Sequence, residues 1–470
     1  MLKKLLFWPL LTVVSLTSAQ SKKLYGMTFR GGIIDRGTLF EYDYNTNTNV
    51  KKIDFTGSNG TNPAGSLLQA SNGKLYGMTE YGGSFNNGVL FEYDLATGVL
   101  TKKYEFPATA SGRVPTGALI QLSSGKMYGV TSYGGTENKG TLFEYDPATN
   151  IYTKKADFNG TNGYRPKGSL MQASNGKLYG TASFGGNTDN GVLFEFDANT
   201  GILTKKVNFI NITYGSQPVG ALLQGTDGDL YGVTNDSGTE GWGTIYKYNI
   251  TTNTVTKLYD FEYAYGTRSN GTLMQTPDGN LYGMTMYGGA HNQGVLYQFN
   301  PLTHLFTKKI DFYEIVSGSI PFGSLMMASN NKIYGMTYWG GNTSDGTLFE
   351  YDPGSNVLTK KYDFNNINNG RNPYQSYLIE VTVNNSLSVH DQESVNPADI
   401  YPNPVKEVLT ISHIDKKLHN SPIQIIDGTG KILLQQVIRH EQEKINVSGL
   451  IPGMYYLKTE GNVNRKFIKE

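Results

Sequence analysis

Arginine and tryptophan are scarce in this 470-residue chain, and between residues 20 and 383 they gather on one class of loop. That stretch holds six arginines, Arg30, Arg36, Arg113, Arg165, Arg268 and Arg371, and two tryptophans, Trp242 and Trp339. Arg113, Arg165 and Arg371 stand one or two residues before a Pro, and Arg268 precedes Ser269, which replaces that Pro in one copy. Guanidinium groups fork onto carboxylates, and indole faces stack on flat or apolar ligand faces. Arg113, Arg165, Arg268, Arg371, Trp242 and Trp339 are therefore the candidate ligand-binding residues, for a saccharide or a carboxylate-bearing ligand. Tyr81, Tyr133, Phe184 and Tyr287 each stand one residue before a Gly-Gly doublet. They are expected to pack between neighbouring units. Acidic residues on the same loops (Asp35, Glu80, Asp345 among them) offset the charge, so this is no plain anion-attracting surface.

Catalytic chemistry is poorly supplied. Residues 20–383 contain only His291 and His304, and the chain has no Cys. No His-x-x-x-His, Gly-x-Ser-x-Gly or Asp-x-Asp-x-Asp-Gly pattern occurs. Asn187-Thr-Asp-Asn190 and Asn342-Thr-Ser-Asp345 are weak metal hints, and no metal or cofactor is expected. Glycoside hydrolysis needs only two carboxylates, which loops can supply, so a polysaccharide hydrolase or lyase is the alternative to a binding module. A net charge of +1 gives no nucleic-acid footprint.

The elements that must position these residues come from a repeat. The pair Tyr-Gly begins at Tyr25, Tyr76, Tyr128, Tyr179, Tyr231, Tyr282 and Tyr334, 51 or 52 residues apart. Each Tyr lies 12 residues before a Gly and 30 before a Phe, as Tyr76 does before Gly88 and Phe106. A period near 50 means stacked supersecondary units, because one unit alone cannot bury its apolar faces. In the copy around Tyr76, strands are expected over 65–70, 74–79, 88–94 and 99–106. Asn72-Gly73 supplies a hairpin turn, and Asp94 with Gly98 supplies another. Four antiparallel strands per copy make a β-propeller blade. The Lys-Lys pairs, such as Lys102-Lys103, then lie on the outermost strand, where charge protects an exposed edge. The acidic residue before each Phe reads as a turn or packing device rather than a metal ligand.

The first copy starts in its second strand, and its missing first strand reappears as Ser376-Tyr377-Leu378 near the end of the array. The fold class is therefore all-β, a seven-bladed β-propeller over 20–383 closed by a C-terminal inner strand at 376–383. Residues 1–19 read as a signal peptide, with Lys3 and Lys4 before an apolar run and Thr17-Ser18-Ala19 before the cut. The run is too short to span a bilayer. Residues 384–396 are polar and read as a linker. Alternating short strands over 397–470 describe a small Ig-like β-sandwich.

Tyr-Gly-x-Thr-x-x-Gly-Gly, Gly-x-Leu-Phe-Glu-Tyr-Asp and Leu-Thr-Lys-Lys-x-Asp-Phe together resemble the bacterial GloVer tandem repeat, across about residues 22–383. Kelch repeats are more distantly similar, sharing the Gly-Gly doublet and the turn 145–150 but not the Trp of the fourth strand. The opening Tyr401-Pro402-Asn403-Pro404, the run Leu450-x-x-Gly453-x-Tyr455-Tyr456 and the basic terminus closely resemble the C-terminal sorting domain of type IX secretion in Bacteroidota. That resemblance implies passage across the outer membrane, with the secretion machinery as partner. It also implies removal of the domain, followed by release or surface attachment. The expected protein is a secreted or surface-displayed propeller that binds a glycan or protein ligand. A surface scaffold without a small ligand is a further alternative.

Overall fold

The computed structural model describes residues 20–107, 110–384, 399–412, 414, 419–427, 431–459 and 465–470. The leader expected at 1–19 and nearly all of the linker lie outside them. Contacts divide the chain into two compact units, Ser21–Val383 and one containing Asn384–Glu470.

The larger unit is built from seven antiparallel sheets in chain order. In the second, Thr61–Pro63 and Leu68–Gln69 pair with Leu75–Tyr81, then come Val89–Tyr93 and Leu100–Glu105. The expected first strand at 65–70 thus starts earlier and breaks in its middle, because Asn62 and Gly65 take φ of 56° and 77°. Ile379–Asn384 joins the first sheet beside Gln20–Thr28, with Thr38–Asp43 and Thr48–Asp54 outside it. The two ends of the repeat array therefore share one sheet.

Each sheet packs on the next through large apolar side chains. Tyr76 and Met78 of the second sheet meet Phe143 and Tyr145 of the third. Leu24, Phe40 and Tyr42 of the first sheet meet Tyr334, Met336 and Phe364 of the seventh. The circle is closed by burial as well as by hydrogen bonding. Its sheets have no room for side chains where they converge: a Cβ on Gly168 would lie 2.0 Å from the Gly220 carbonyl oxygen, and one on Gly65 2.1 Å from that of Gly117. Glycine is required there by close approach of backbone to backbone.

The smaller unit has two sheets. Asp399–Tyr401, Val408–Ser412 and Glu443–Asn446 form one, and Ile432–Val437, Pro422–Ile426, Gly453–Thr459 and Arg465–Lys469 form the other. Leu409, Ile411, Ile423, Ile425, Leu457 and Phe467 fill a common core.

Candidate functional site

Two layers surround the residues of interest, one repeated and one not. In the repeated layer, Glu92 accepts from Tyr76 Oη at 2.5 Å and from Lys74 Nζ at 2.7 Å, with Lys103 Nζ 3.8 Å away. Burial works against the Glu92 carboxylate, yet Lys74, Tyr76 and Lys103 outweigh it and hold its pKa below the ordinary value. The sets Tyr25, Glu41, Lys23 and Tyr179, Glu195, Lys177 repeat this arrangement. The fifth sheet reverses it: Lys247 stands in the Glu position and Asp229 in the Lys position, 2.8 Å apart.

The second lysine of a Lys-Lys pair therefore faces a buried carboxylate. The first pairs with the acid three residues on, as Lys154 does with Asp157 at 2.8 Å. That acid also receives a backbone N–H from the loop between the second and third strands: Asp54 from Ile33, Glu105 from Ser84, Asp311 from Ala290. Asn208 does the same for Asn187, so the role needs an acceptor and not a charge. Among the described residues no group of three or more His, Cys, Asp or Glu is placed to hold a metal ion.

The non-repeated layer rings the inner end of these sheets. Two positions per copy form it. One is the residue between Pro and Gly at the inner strand: Ala64, Thr116, Lys167, Val219, Asn270, Phe322 and Tyr374. The other is the fourth residue after the marker Tyr: Phe29, Glu80, Ser132, Ser183, Asn235, Met286 and Tyr338. The first set holds seven different residue types and the second six, in a chain whose frame hardly varies.

Their side chains sort by sector. Tyr374 lies 4.7 Å from Phe322, 5.0 Å from Phe29 and 5.9 Å from Tyr338, centroid to centroid. Trp339 stands edge-on to Tyr338 at 5.0 Å, 42% exposed. Around the rest of the ring, Ser132 and Ser183 donate to the carbonyls of Pro166 and Pro218, and Asn235 donates to Asn270. Lys167, Asn270, Phe322 and Gln375 line a cavity of about 30 Å³ over the glycines Gly117, Gly168, Gly220, Gly271 and Gly323. Gln375 takes the place that glycine holds in the other copies.

Glu80 is the one acid of this layer. Burial raises its pKa to about 7, and the charge of Lys167 opposes the shift only in part. Glu80 and Tyr338 both push the Tyr374 phenol up, after burial itself. Among the described residues the Lys167 ammonium has neither a hydrogen bond nor a salt bridge.

The six candidates named from sequence do not form one cluster. Arg113 and Arg165 flank Tyr133 at 5.2 and 5.1 Å, and Arg165 also lies 5.8 Å from the Phe184 ring. The Nε of Arg113 is buried without a partner. Arg371 makes a two-pronged pair with Asp35, at 3.0 and 2.8 Å. Arg268 is exposed, its backbone N–H bound to the Trp242 carbonyl. Trp242 packs against the core and lies 6.0 Å from Tyr263. Rarity of residue type does not single out Lys167, Glu80, Phe322 or Tyr374. The signal was available as the two columns of the repeat in which nearly every copy differs.

A family model described as the Gloeobacter/Verrucomicrobia repeat matches residues 12–175 and 165–394, and one for the secretion system C-terminal sorting domain matches residues 399–470. The sorting domain marks export by type IX secretion, to the cell surface or beyond it. No helix among the described residues is long and apolar enough to cross a membrane. No curated protein matches the chain. Among solved structures, a putative 6-phosphogluconolactonase from Bacteroides fragilis NCTC 9343 is similar at 18% identity and TM-score 0.53, over 78% of this chain and 99% of that one. Another from Bacteroides uniformis ATCC 8492 has 14% identity and TM-score 0.51, over 77% and 99%. At these identities the likeness is one of fold, all-β and propeller-like.

Proposed function

Because the chain belongs to the Gloeobacter/Verrucomicrobia repeat family and ends in a type IX secretion sorting domain, we propose that it is an exported seven-bladed β-propeller that recognises a glycan or protein ligand. The ligand meets the long-loop face, where the blade-to-blade loops and the inner ring of variable side chains lie. Residues 20–383 form the propeller, and 397–470 form an Ig-like sandwich that directs export. One observation carries the reading. The frame repeats down to individual ion pairs in most copies, with Asn280 and Gln298 in their place in the sixth, while the two columns differ in nearly every copy. Scaffold alone gives no reason for that contrast, since equivalent positions in a ring have equivalent packing needs.

Arg113, Arg165, Arg268, Arg371, Trp242 and Trp339 are assigned to the rim of the site. The aromatic cluster at Phe322, Tyr338 and Tyr374 supplies its apolar wall. The test is a glycan and peptide array probed with the full chain, alongside an assay for reducing-sugar release from the same panel. Retention of a ligand without new reducing ends supports recognition. Release of reducing ends, or of unsaturated products, assigns the protein to polysaccharide cleavage instead. Undiminished binding by the variant carrying all four arginines as Ala removes them from the site.

A further inference from the structure

Within that recognition face, we infer that the throat of the channel binds the carboxylate of a terminal uronic acid residue, held by Lys167 and backed by Glu80, while the sugar ring lies against Tyr374 and Phe322. The inference rests on the face being a recognition surface and adds the class of ligand.

Size sets the first constraint. The throat space is about 30 Å³. A space of that order admits one or two waters, or one small charged group, and is too small for a pyranose ring. A ligand must therefore enter end-on, with a small polar group leading.

Charge sets the second. Lys167 lines this space with Asn270 and Gln375, and no carboxylate among the described residues is bonded to its ammonium. The paired lysines of the frame make the contrast: Lys74, Lys126 and Lys177 each sit within 3.0 Å of a glutamate. Glu80 is close enough for its charge to be felt by Lys167 but makes no salt bridge with it. A half-buried lysine without a carboxylate partner, lining a cavity with two amides beside it, favours an anion.

The third constraint is the aromatic sector. Phe322 both lines the cavity and lies 4.7 Å from Tyr374, so an apolar wall starts where the anion site ends. A flat sugar face above an inserted carboxylate fits that wall, and the amides of Asn270 and Gln375 in the same lining suit a sugar better than an apolar peptide.

Glu80 then acts as a neutral acid. Its surroundings are Lys167, which favours ionisation, and Tyr374 and Tyr81, whose phenols stay protonated. Burial leaves the carboxyl protonated up to about pH 7. In that form it adds no negative charge near Lys167, and once ionised it repels a ligand carboxylate.

The test is titration calorimetry of the full chain with oligoglucuronides, with glucose oligomers of the same length and with a peptide ending in a free carboxylate. The expected result is binding of the oligoglucuronide alone, weakened tenfold or more by Lys167→Met and less by Lys167→Arg, with melting curves unchanged. Affinity is expected to fall as pH rises through 7, and Glu80→Gln is expected to flatten that dependence. Neutral oligosaccharide binding untouched by Lys167→Met overturns the uronate assignment and leaves the recognition face standing. Binding of the peptide in preference overturns the sugar. Absence of binding by every probe overturns the inference, and with an empty array it overturns the recognition reading too.

Discussion

The ion-pair belt around Glu92 and the ring around Tyr374 are built from the same repeats, yet they obey opposite rules. In the belt even a reversal preserves the interaction, since Lys247 and Asp229 exchange charges in the fifth sheet and still meet at 2.8 Å. In the ring, equivalent places hold Lys167, Val219, Phe322 and Tyr374, with nothing preserved but position. The belt is constrained by what neighbouring strands do to one another. The ring has no such shared partner from copy to copy.

The largest test breaks the frame itself. Deleting residues 374–383 removes the strand that completes the first sheet and exposes the partners of the buried Leu378 and Val381. Burial of two such side chains is worth about 4 kcal/mol before strand pairing is counted. The melting temperature is expected to fall by roughly 10 °C. An unchanged melting curve would show that closure contributes nothing.

Next is the glycine ring, which separates the two regions. Gly168→Ala forces a Cβ to within 2.0 Å of the Gly220 carbonyl oxygen, backbone that cannot rotate away. A loss of about 3 kcal/mol in chemical denaturation is expected, as for severe overpacking. Gly73→Ala meets nothing within 4 Å and strains only a φ of +80°, so it costs about 1 kcal/mol. Equal costs would mean that the inner strands can spread.

Within the belt, Lys247→Glu alone sets a carboxylate against the buried Asp229, at a cost of about 2 kcal/mol. Adding Asp229→Lys rebuilds the pairing of the other copies and is expected to recover most of it. A double-mutant cycle measures the coupling. Additive losses would mean that the pair does not act as a pair.

The frame was legible in the sequence because repetition turns one local argument into seven. Tyr-Gly marks the second strand of each copy, Asn72-Gly73 and Asp94 through Gly98 mark strand ends, and Asp94 accepts the expected bonds from Ala96 and Thr97. Closure was legible because Ser376 and Leu378 repeat a motif with no second strand after it. The early start of inner strands such as those at Thr61–Pro63 and Tyr164–Pro166 was not, since it goes with left-handed residues such as Asn62 and Arg165, whose N–H groups bind the neighbouring loop carbonyls of Arg36 and Lys139. The Arg371–Asp35 pair was equally hidden, because it joins residues 336 apart in sequence.

The effect at Glu80 is the one that most sharpens the contrast. Glu80 ionises near pH 4.5 when unfolded and near 7 when folded, because burial penalises its charge. Below about pH 4.5 both states are protonated and Glu80 costs the fold nothing. Between 4.5 and 7 the unfolded chain releases its proton first, so stability drains away as pH rises, and above 7 the loss is complete. Glu80→Gln keeps the shape and loses the charge. The variant is therefore expected to match the parent at pH 4.5 and to exceed it by about 2 kcal/mol at pH 8, after allowance for partial exposure. The same exchange at Glu92, whose pKa is lowered, runs the other way: Glu92→Gln is expected to be less stable than the parent at pH 8, with the difference shrinking in acid. One carboxylate that stabilises its fold when charged and another that destabilises it are the belt and the ring in miniature. If Glu80→Gln instead melts earlier at pH 8, the attraction to Lys167 outweighs burial, Glu80 belongs to the frame, and the throat loses its acid.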